Sequence, residues 1–510
     1  MKPKRKTTQE ITELSKQFFL GLFTSCGVLE KLRKFRMYVK GTLSVHDPRK
    51  LGAVIYPYED LYCVIVLARM AGLTTKDEIF DFWNINLDKL RVIFPDMPYE
   101  GASTSTITRA QRLVDATVLQ DEYVKLFEKE YNLIRISNGS YTATDLLKRD
   151  VIASDGQALR STTRLQKDGR KSTPFEITSM VSYSTGITIG QVIHDKKNQE
   201  KKAILKLSDK IDIKNAILTW DAINTYAPLI DDVVEKGADV CVRLKQNQDS
   251  LYDWCMDTYT LYQHEKEQNE FFKKYPPQVG QRCDKTGGKI YERKITVFDA
   301  DKILDEKEKS KWKNLKTVAF IDTICTNVIT GRKSTSTSVV ISSIAFDLEK
   351  YPHLASDLLE ISIRHWCVET NHWHLDEYFD QDKASFGSQD AAFFSTAITK
   401  LVMSMFNFAK AAYNNAENHY EGVCTTPKLQ RACANIEYSA LLLDSFFSND
   451  PSQLVEDELS YRYHFMQKDV PQFSVEDVAV RYEWEIGGGV SNCPLADHVK
   501  ARGFRKYRCS

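Results

Sequence analysis

Between about residue 145 and residue 250, short runs of branched and apolar residues alternate with turn signals. This segment restricts the fold more than any other part of the chain. Residues 151–154, 175–184, 188–194, 216–220 and 239–244 are each of strand length and rich in Val, Ile and Thr. Gly186 lies between the second and third runs, where a hairpin turn requires a permissive backbone. Residues 223–236 have helical spacing and lead into the last run. The expected order is three antiparallel strands followed by β-α-β units. Periodicity alone specifies a mixed α/β architecture and nothing narrower.

The flanks are different in texture. Ile11, Leu14, Phe18, Leu22 and Leu29 recur at near-helical spacing over 8–40. Further helical patterns cover 60–73, 76–82, 87–94 and 106–131, with Ser103 and Thr104 suited to cap the last. Residues 255–310 are polar and lysine-rich, broken by Pro276-Pro277 and Gly287-Gly288. Three strands are expected at 289–297, 317–326 and 338–344. Helices are expected again over 352–359, 361–376, 390–414 and 428–447. Beyond them the chain is acidic and irregular, with Gly487-Gly488-Gly489 as a joint.

Three acidic residues stand out against this background. Asp155 follows Val151-Ile152-Ala153-Ser154 and precedes Gly156, and Asp221 closes Ala216-Ile217-Leu218-Thr219-Trp220. Glu369 sits within the helical stretch from His365 to Trp373. Either aspartate alone reads equally well as a strand-end turn residue, because Asp-Gly is a common turn pair. Two strand-end aspartates with a helix-borne glutamate form a set of hard oxygen donors suited to divalent cations. Such a centre activates water and stabilises a leaving oxygen in phosphodiester chemistry. His365, Glu369, His372 and Asp376 fall at i, i+4, i+7 and i+11, on one helix face, so a zinc-binding helix is the alternative. In the first reading Glu369 faces the cation and the histidines touch nucleic acid. Trp366 and Trp373 flank that face, with packing against the sheet expected for at least one of them.

These residues resemble a known family. The run Ile152-Ala153-Ser154-Asp155-Gly156-Gln157-Ala158-Leu159-Arg160 resembles the first catalytic strand of the ISAs1-type (H-repeat-associated) DDE transposases of bacteria. Leu218-Thr219-Trp220-Asp221-Ala222 resembles the second, and Leu244-Lys245-Gln246-Asn247-Gln248 the family's Lys-x-Asn-Gln strand end. The stretch from His365-Trp366 through Glu369-Thr370 to Asp376 is similar to its glutamate helix. Where the broader IS4-like pattern carries Tyr, Arg and a later Lys, this chain has Ser362, His365 and Asp376, in the His-Trp version that ISAs1-type sequences share.

The resemblance implies a small helical N-terminal domain (1–140), an RNase H-like α/β core in two parts (145–250 and 349–415) and a β-rich insertion between them (251–348). A partly helical C-terminal region (416–510) follows. It implies a transposase that uses Mg²⁺ or Mn²⁺ held by Asp155, Asp221 and Glu369 to cut element ends and join them to target DNA. The contacts to double-stranded DNA fall to Arg160, Arg164, Lys245, Gln248, His365, Trp366 and His372. Two ends must meet, so a homodimer or larger assembly on DNA is expected. An inactive derivative that only binds DNA and a nuclease that cuts without joining are the other readings of the same residues.

Composition describes an ordinary globular chain. The net charge of +0 and the pI of about 7.1 argue mildly against a generic polyanion binder. Residues 1–50 nevertheless hold twelve Lys/Arg against four Asp/Glu, and 435–485 hold eleven acidic against three basic residues. Phosphates respond to such local charge and not to the total. The 11 cysteines are scattered with no Cys-x-x-Cys pair, which argues for reduced thiols and against a zinc ribbon. No signal-peptide core and no membrane span is expected, so the location expected is the cytoplasm with the nucleoid, or the nucleus of a eukaryotic host.

Overall fold

One continuous mixed sheet organises the computed structural model of the protein, and its strand order positions the acidic residues. The structure describes residues 27–125 (apart from 51, 53, 96, 99 and 100), 145–163, 171–194, 199–415 (apart from 385 and 387) and 425–456. The expected helix before residue 27, Arg164 and the glycine joint at 487–489 lie outside the described residues.

The strands are β1 (Val151–Leu159), β2 (Phe175–Ser182), β3 (Thr188–His194), β4 (Ile217–Trp220), β5 (Asp239–Leu244), β6 (Gln278–Thr286), β7 (Lys289–Asp299), β8 (Thr317–Asn327) and β9 (Lys333–Ser342). Their order across the sheet is β3-β2-β1-β4-β5-β9-β8-β7-β6. The first three pair antiparallel, while β1, β4 and β5 run parallel. This is the RNase H-like arrangement expected. Gly186 closes the β2–β3 hairpin at φ +66, as the turn requires.

Both faces of the central strands are covered, which explains their unbroken apolar runs. Ile152, Leu218 and Val240 share a cluster with Leu207 of α6 (Glu200–Ser208) and with Ile230 and Val233 of α7 (Ala227–Glu235). The alternate residues Val151, Ile217 and Cys241 pack on Leu354, Leu358 and Ile361 of α9 (Leu354–Arg364). Between these, α8 (Asp249–Glu265) follows β5. After α9 come α10 (Trp366–Phe379) and α11 (Gln389–Asn415).

The β-rich insertion has four strands and not three. β6 went unseen because six of its nine residues are exposed and it shows no apolar alternation. The insertion continues the core sheet, because β9 pairs with β5 from Cys241↔Ser342 to Leu244↔Val339.

The N-terminal helices α1 (Val28–Thr42), α2 (Tyr58–Met70), α3 (Lys76–Ile85), α4 (Leu87–Ile93) and α5 (Thr104–Ala110) do not close a core of their own. The helix expected over 106–131 breaks after Ala110 and resumes at 116–125. Phe35 of α1 meets Phe447 of α12 (Ile436–Ser448) at 5.5 Å between ring centroids, and Tyr62 of α2 meets Phe394 of α11 at 5.8 Å. Lys31 bridges to Asp444 at 3.1 Å. The core therefore crosses the boundary expected near residue 140. α11 runs through its centre, with 89% of its most apolar window buried.

Candidate active site

Register brings the two aspartates together. Ser154 is paired with Trp220 across the parallel β1–β4 ladder, so Asp155 and Asp221 are the next residues on adjacent strands, which lie about 4.8 Å apart. β4 ends there, but β1 continues, because its antiparallel pairing with β2 runs on to Leu159↔Phe175. Asp155 is thus a mid-strand residue and not the strand-end residue expected, and Asp155-Gly156 is not a turn.

Side chains alternate along β1, and one set lies along α10. Ala153 packs on Val368, Asp155 Oδ2 lies 3.4 Å from His372 Nδ1, and Gln157 Nε2 donates to Asp376 Oδ1 at 2.9 Å. Val368, His372 and Asp376 repeat every four residues, so a single stripe of α10 tracks the strand. Glu369 lies one residue beside that stripe, in the first turn of α10 and exposed.

His365 joins the second aspartate to its strand. Its Nδ1 is 2.6 Å from Thr219 Oγ1 and its Nε2 is 3.8 Å from Asp221 Oδ1. The Thr219 hydroxyl can donate to Nδ1, which leaves the Nε2–H facing the carboxylate. The His365 imidazole first, and then the charges of Lys245 and Arg243, hold Asp221 below the usual carboxylate range in spite of burial. Glu369 is pushed up by burial, and Asp155 and Asp221 add to this while His365 and Arg243 oppose it. Asp155 and Asp221 thus lie side by side, and the helix that carries Glu369 packs over the same sheet face.

Sequence reasoning missed Arg243 and Glu200 and assigned no role to Gly156 and Asn247, which also belong to this site. Arg243 on β5 carries a charge inside an apolar run two residues before Lys245, and that parity was its only signal. Glu200, the first residue of α6, is half-buried and receives a hydrogen bond from Asn224; burial raises it, and Asp155, Glu176 and Asp221 act in the same direction. Gly156 makes room for it, because a Cβ there would collide with the Glu200 carboxylate. Asn247 Nδ2 donates to the Ala222 carbonyl at 2.9 Å, which ties the Lys245–Gln248 turn to the loop of Asp221.

The residues expected on DNA divide in two. Arg160 and Lys245 are exposed, Gln248 is half-buried beside Lys245, and Trp366 is 50% exposed. Arg160 lies 3.7 Å from Asp382, with its side chain 84% exposed. His365 and His372 are both buried and face the aspartates, so in this arrangement they are not presented to a ligand from solvent. Trp373 is 54% exposed, so neither tryptophan packs in the core as expected for one of them. The zinc-helix alternative fails on direction. His365 is turned to Thr219 and Asp221, His372 to Asp155, and Asp376 to Gln157, so the four side chains do not converge.

A buried cation lies on the same face. Asp155, Ser179 and Gln191 are directly opposed across β1, β2 and β3, so they project to one side. Lys400 of α11 is fully buried, and its Nζ donates to Ser179 Oγ at 2.6 Å and Gln191 Oε1 at 2.8 Å. Burial pushes its amine down to about 7. A depressed lysine disfavours folding while protonated, and the penalty fades as pH rises from about 7 to the unfolded value near 10.4. Lys400→Met should therefore gain stability over the wild type at low pH, and the difference should shrink by up to about 4 kcal/mol between pH 7 and 10. Thermal melts of both proteins across that range check it, and a difference independent of pH would show that the amine carries no such penalty.

Fold and site together define an RNase H-like protein with two strand aspartates and a helix glutamate on one sheet face. The Transposase DDE domain family matches residues 146–403, from just before β1 into α11 and just over half of the 510 residues, and the chain belongs to that family. Among its relatives is "Putative transposase YncI" of Escherichia coli O157:H7, 22% identical over 367 residues that cover 72% of this chain and 86% of that protein. "H repeat-associated putative transposase YhhI" of Escherichia coli K12 is 22% identical over 365 residues, 71% of this chain and 88% of that one. The solved piggyBac transposase synaptic complex with hairpin DNA aligns with 94% of this chain and 91% of that chain at 12% identity, but its TM-score of 0.33 is too low to bear on fold or function.

Proposed function

We propose that this chain is a DNA transposase that cuts the ends of its element and joins the freed 3′-hydroxyls to target DNA, with Asp155, Asp221 and Glu369 as the catalytic set. The observation that carries the reading is the placement of Asp155 and Asp221 side by side at the ends of the parallel β1–β4 pairing, with the helix that bears Glu369 packed along the same face. Among the described residues no three His, Cys, Asp or Glu side chains are arranged as a metal-holding group. The chemistry of the donor set still suits a hard divalent cation, because mutual repulsion among carboxylates is what such an ion relieves. Asp155, Asp221 and Glu369 would hold Mg²⁺ or Mn²⁺, which supplies Lewis acidity at the scissile phosphate and lowers the pKa of an attacking water.

The other residues position. His365, fixed by Thr219, orients the Asp221 carboxylate, and His372 does the same for Asp155. Arg243 and Lys245 keep a positive field beside Asp221, where a phosphate must approach. Arg160, Lys245 and Trp366 present donors and a stacking surface to double-stranded DNA around the site. Two ends have to be held at once, so the active species is at least a dimer on DNA.

Labelled duplexes carrying the DNA that flanks the gene, incubated with the protein and Mg²⁺, test this. Joined product is the expected result. Cleavage without joining would make the protein a nuclease, and binding without cleavage a DNA-binding derivative.

A further inference from the structure

The insertion carries a feature that catalysis does not use. Along β9, residues from Val339 to Ser342 pair with β5, whereas Lys333 to Ser338 pair with β8 alone. β5 ends at Leu244, the end of the sheet that also carries Asp221 and Lys245. The outer parts of β6 to β9 thus project past the carboxylate end of the core. Six residues at strand rise make this arm about 20 Å long, the width of a DNA duplex.

The tip of the arm is hydrogen-bonded across its turns, basic and capped by an apolar residue. Its two turns are joined, because Val328 N donates to the Gly288 carbonyl at 2.9 Å. Asn327 Oδ1 accepts from the backbone of Ile329 at 3.0 Å and Thr330 at 2.9 Å, and Gly331 N donates to the Asn327 carbonyl at 2.9 Å. This network holds Ile329 at 91% exposure, the most exposed large apolar side chain among the described residues, with Val328 beside it at 45%. Lys285, Lys289, Arg332 and Lys333 surround them and are all exposed. No Asp or Glu occurs in 285–290 or 327–335. A lone exposed apolar side chain is ordinary on a protein surface, but one at the apex of a basic tip is placed to enter a groove between phosphates. Four uncompensated cations around it select a polyanion.

We propose that this tip is a duplex-DNA contact, in which the four cations straddle the phosphate backbones and Ile329 enters a base step from the minor groove. The inference rests on the transposase reading, since it takes the DNA bound there as its ligand. Apolar wedges flanked by basic residues partly unstack a step and bend the duplex. Held at the carboxylate end of the sheet, the arm would grip DNA one duplex width from the catalytic set.

The full-length protein and a mixed-sequence duplex of roughly 40 base pairs, with affinity measured by fluorescence anisotropy from about 50 to 200 mM salt, test this. The combined Lys285→Ala, Lys289→Ala, Arg332→Ala and Lys333→Ala variant should flatten the log–log salt slope by about 3 to 4, near 0.9 for each phosphate no longer neutralised. Ile329→Ser should keep the wild-type slope but lose the fluorescence rise that unstacking gives a 2-aminopurine-labelled duplex. All five substitutions are at exposed positions, and thermal melts confirm that the fold is kept. A wild-type slope in the fourfold variant overturns the proposal while leaving the transposase reading in place. Loss of self-association at unchanged DNA affinity also overturns it, making the tip an interface between copies. Failure of the wild-type protein to bind any duplex removes both readings.

Discussion

Glu369→Gln, assayed on DNA already bound, should lose strand cleavage and joining by at least about a thousandfold, on the order of 4 kcal/mol in activation free energy. Its affinity for DNA should stay near the wild-type value. The substitution keeps size and hydrogen-bonding capacity but removes the charge that completes the acidic set. Glu369 stands exposed in the first turn of α10, so little packing is lost with it. Although the residue as a whole is exposed, partial desolvation of its carboxyl pushes it up, and Asp155 and Asp221 add to this against the opposing His365, so removal of its charge relieves repulsion in the metal-free protein. The variant should therefore melt no lower than the wild type. His365→Ala and His372→Ala act through the aspartates they face, and a loss of about 10- to 100-fold is expected of each. Gel assays of cleaved and joined product, with anisotropy on the same duplex, separate these effects. An active Glu369→Gln protein would remove the glutamate from the catalytic set.

Asp155→Asn and Asp221→Asn should each abolish cleavage to a similar extent, with different consequences for stability. Asp155 is the more enclosed of the two, with its side chain 20% exposed against 53% for Asp221. Asp221 is held below the usual carboxylate range by His365, and then by Lys245 and Arg243. A depressed carboxyl stabilises the fold above its unfolded value near 3.9, and that stability is lost as pH falls through the folded value. Asp221→Asn should accordingly lose a little stability at neutral pH and none in strong acid. Melting curves at pH 7 and pH 3 check the sign. A variant that unfolds at pH 7 would point to a structural role for its aspartate.

How much of this was legible in the sequence depended on burial. The central strands β1, β4 and β5 announced themselves, because coverage on both faces demands apolar runs such as Val151-Ile152-Ala153, Ile217-Leu218 and Val240-Cys241-Val242, while β2 and β3 showed as short runs rich in branched residues about Gly186. β6, wet over most of its length, left no such pattern in Gln278-Val279-Gly280-Gln281-Arg282. The end of β1 was misplaced because its length follows its partner β2, a long-range pairing that local residues do not encode. Asp155, Asp221 and Glu369 stood out as acids in apolar surroundings. Their supports were harder to see: Arg243 reads as an ordinary strand charge, and Glu200 as an ordinary first-turn acid. His365 and His372 share one helix face with Glu369, but whether that face meets solvent or strand is decided by how α10 lies on β1. The N-terminal helices were legible one by one, yet their shared core with α11 and α12 depends on pairs more than 300 residues apart, such as Arg69 with Ser395.

The central claim is that Asp155, Asp221 and Glu369 act as one divalent-cation site. Titration of Mn²⁺ into the full-length protein bound to duplex, followed by electron paramagnetic resonance alongside cleavage in the same samples, tests it most directly. Tight Mn²⁺ binding by the wild type is expected. Each of Asp155→Asn, Asp221→Asn and Glu369→Gln should lose binding and cleavage together, while His365→Ala and His372→Ala retain the ion. Variants of the three acids that stop cleaving DNA but bind Mn²⁺ as the wild type does, or histidine variants that alone release it, would contradict the account.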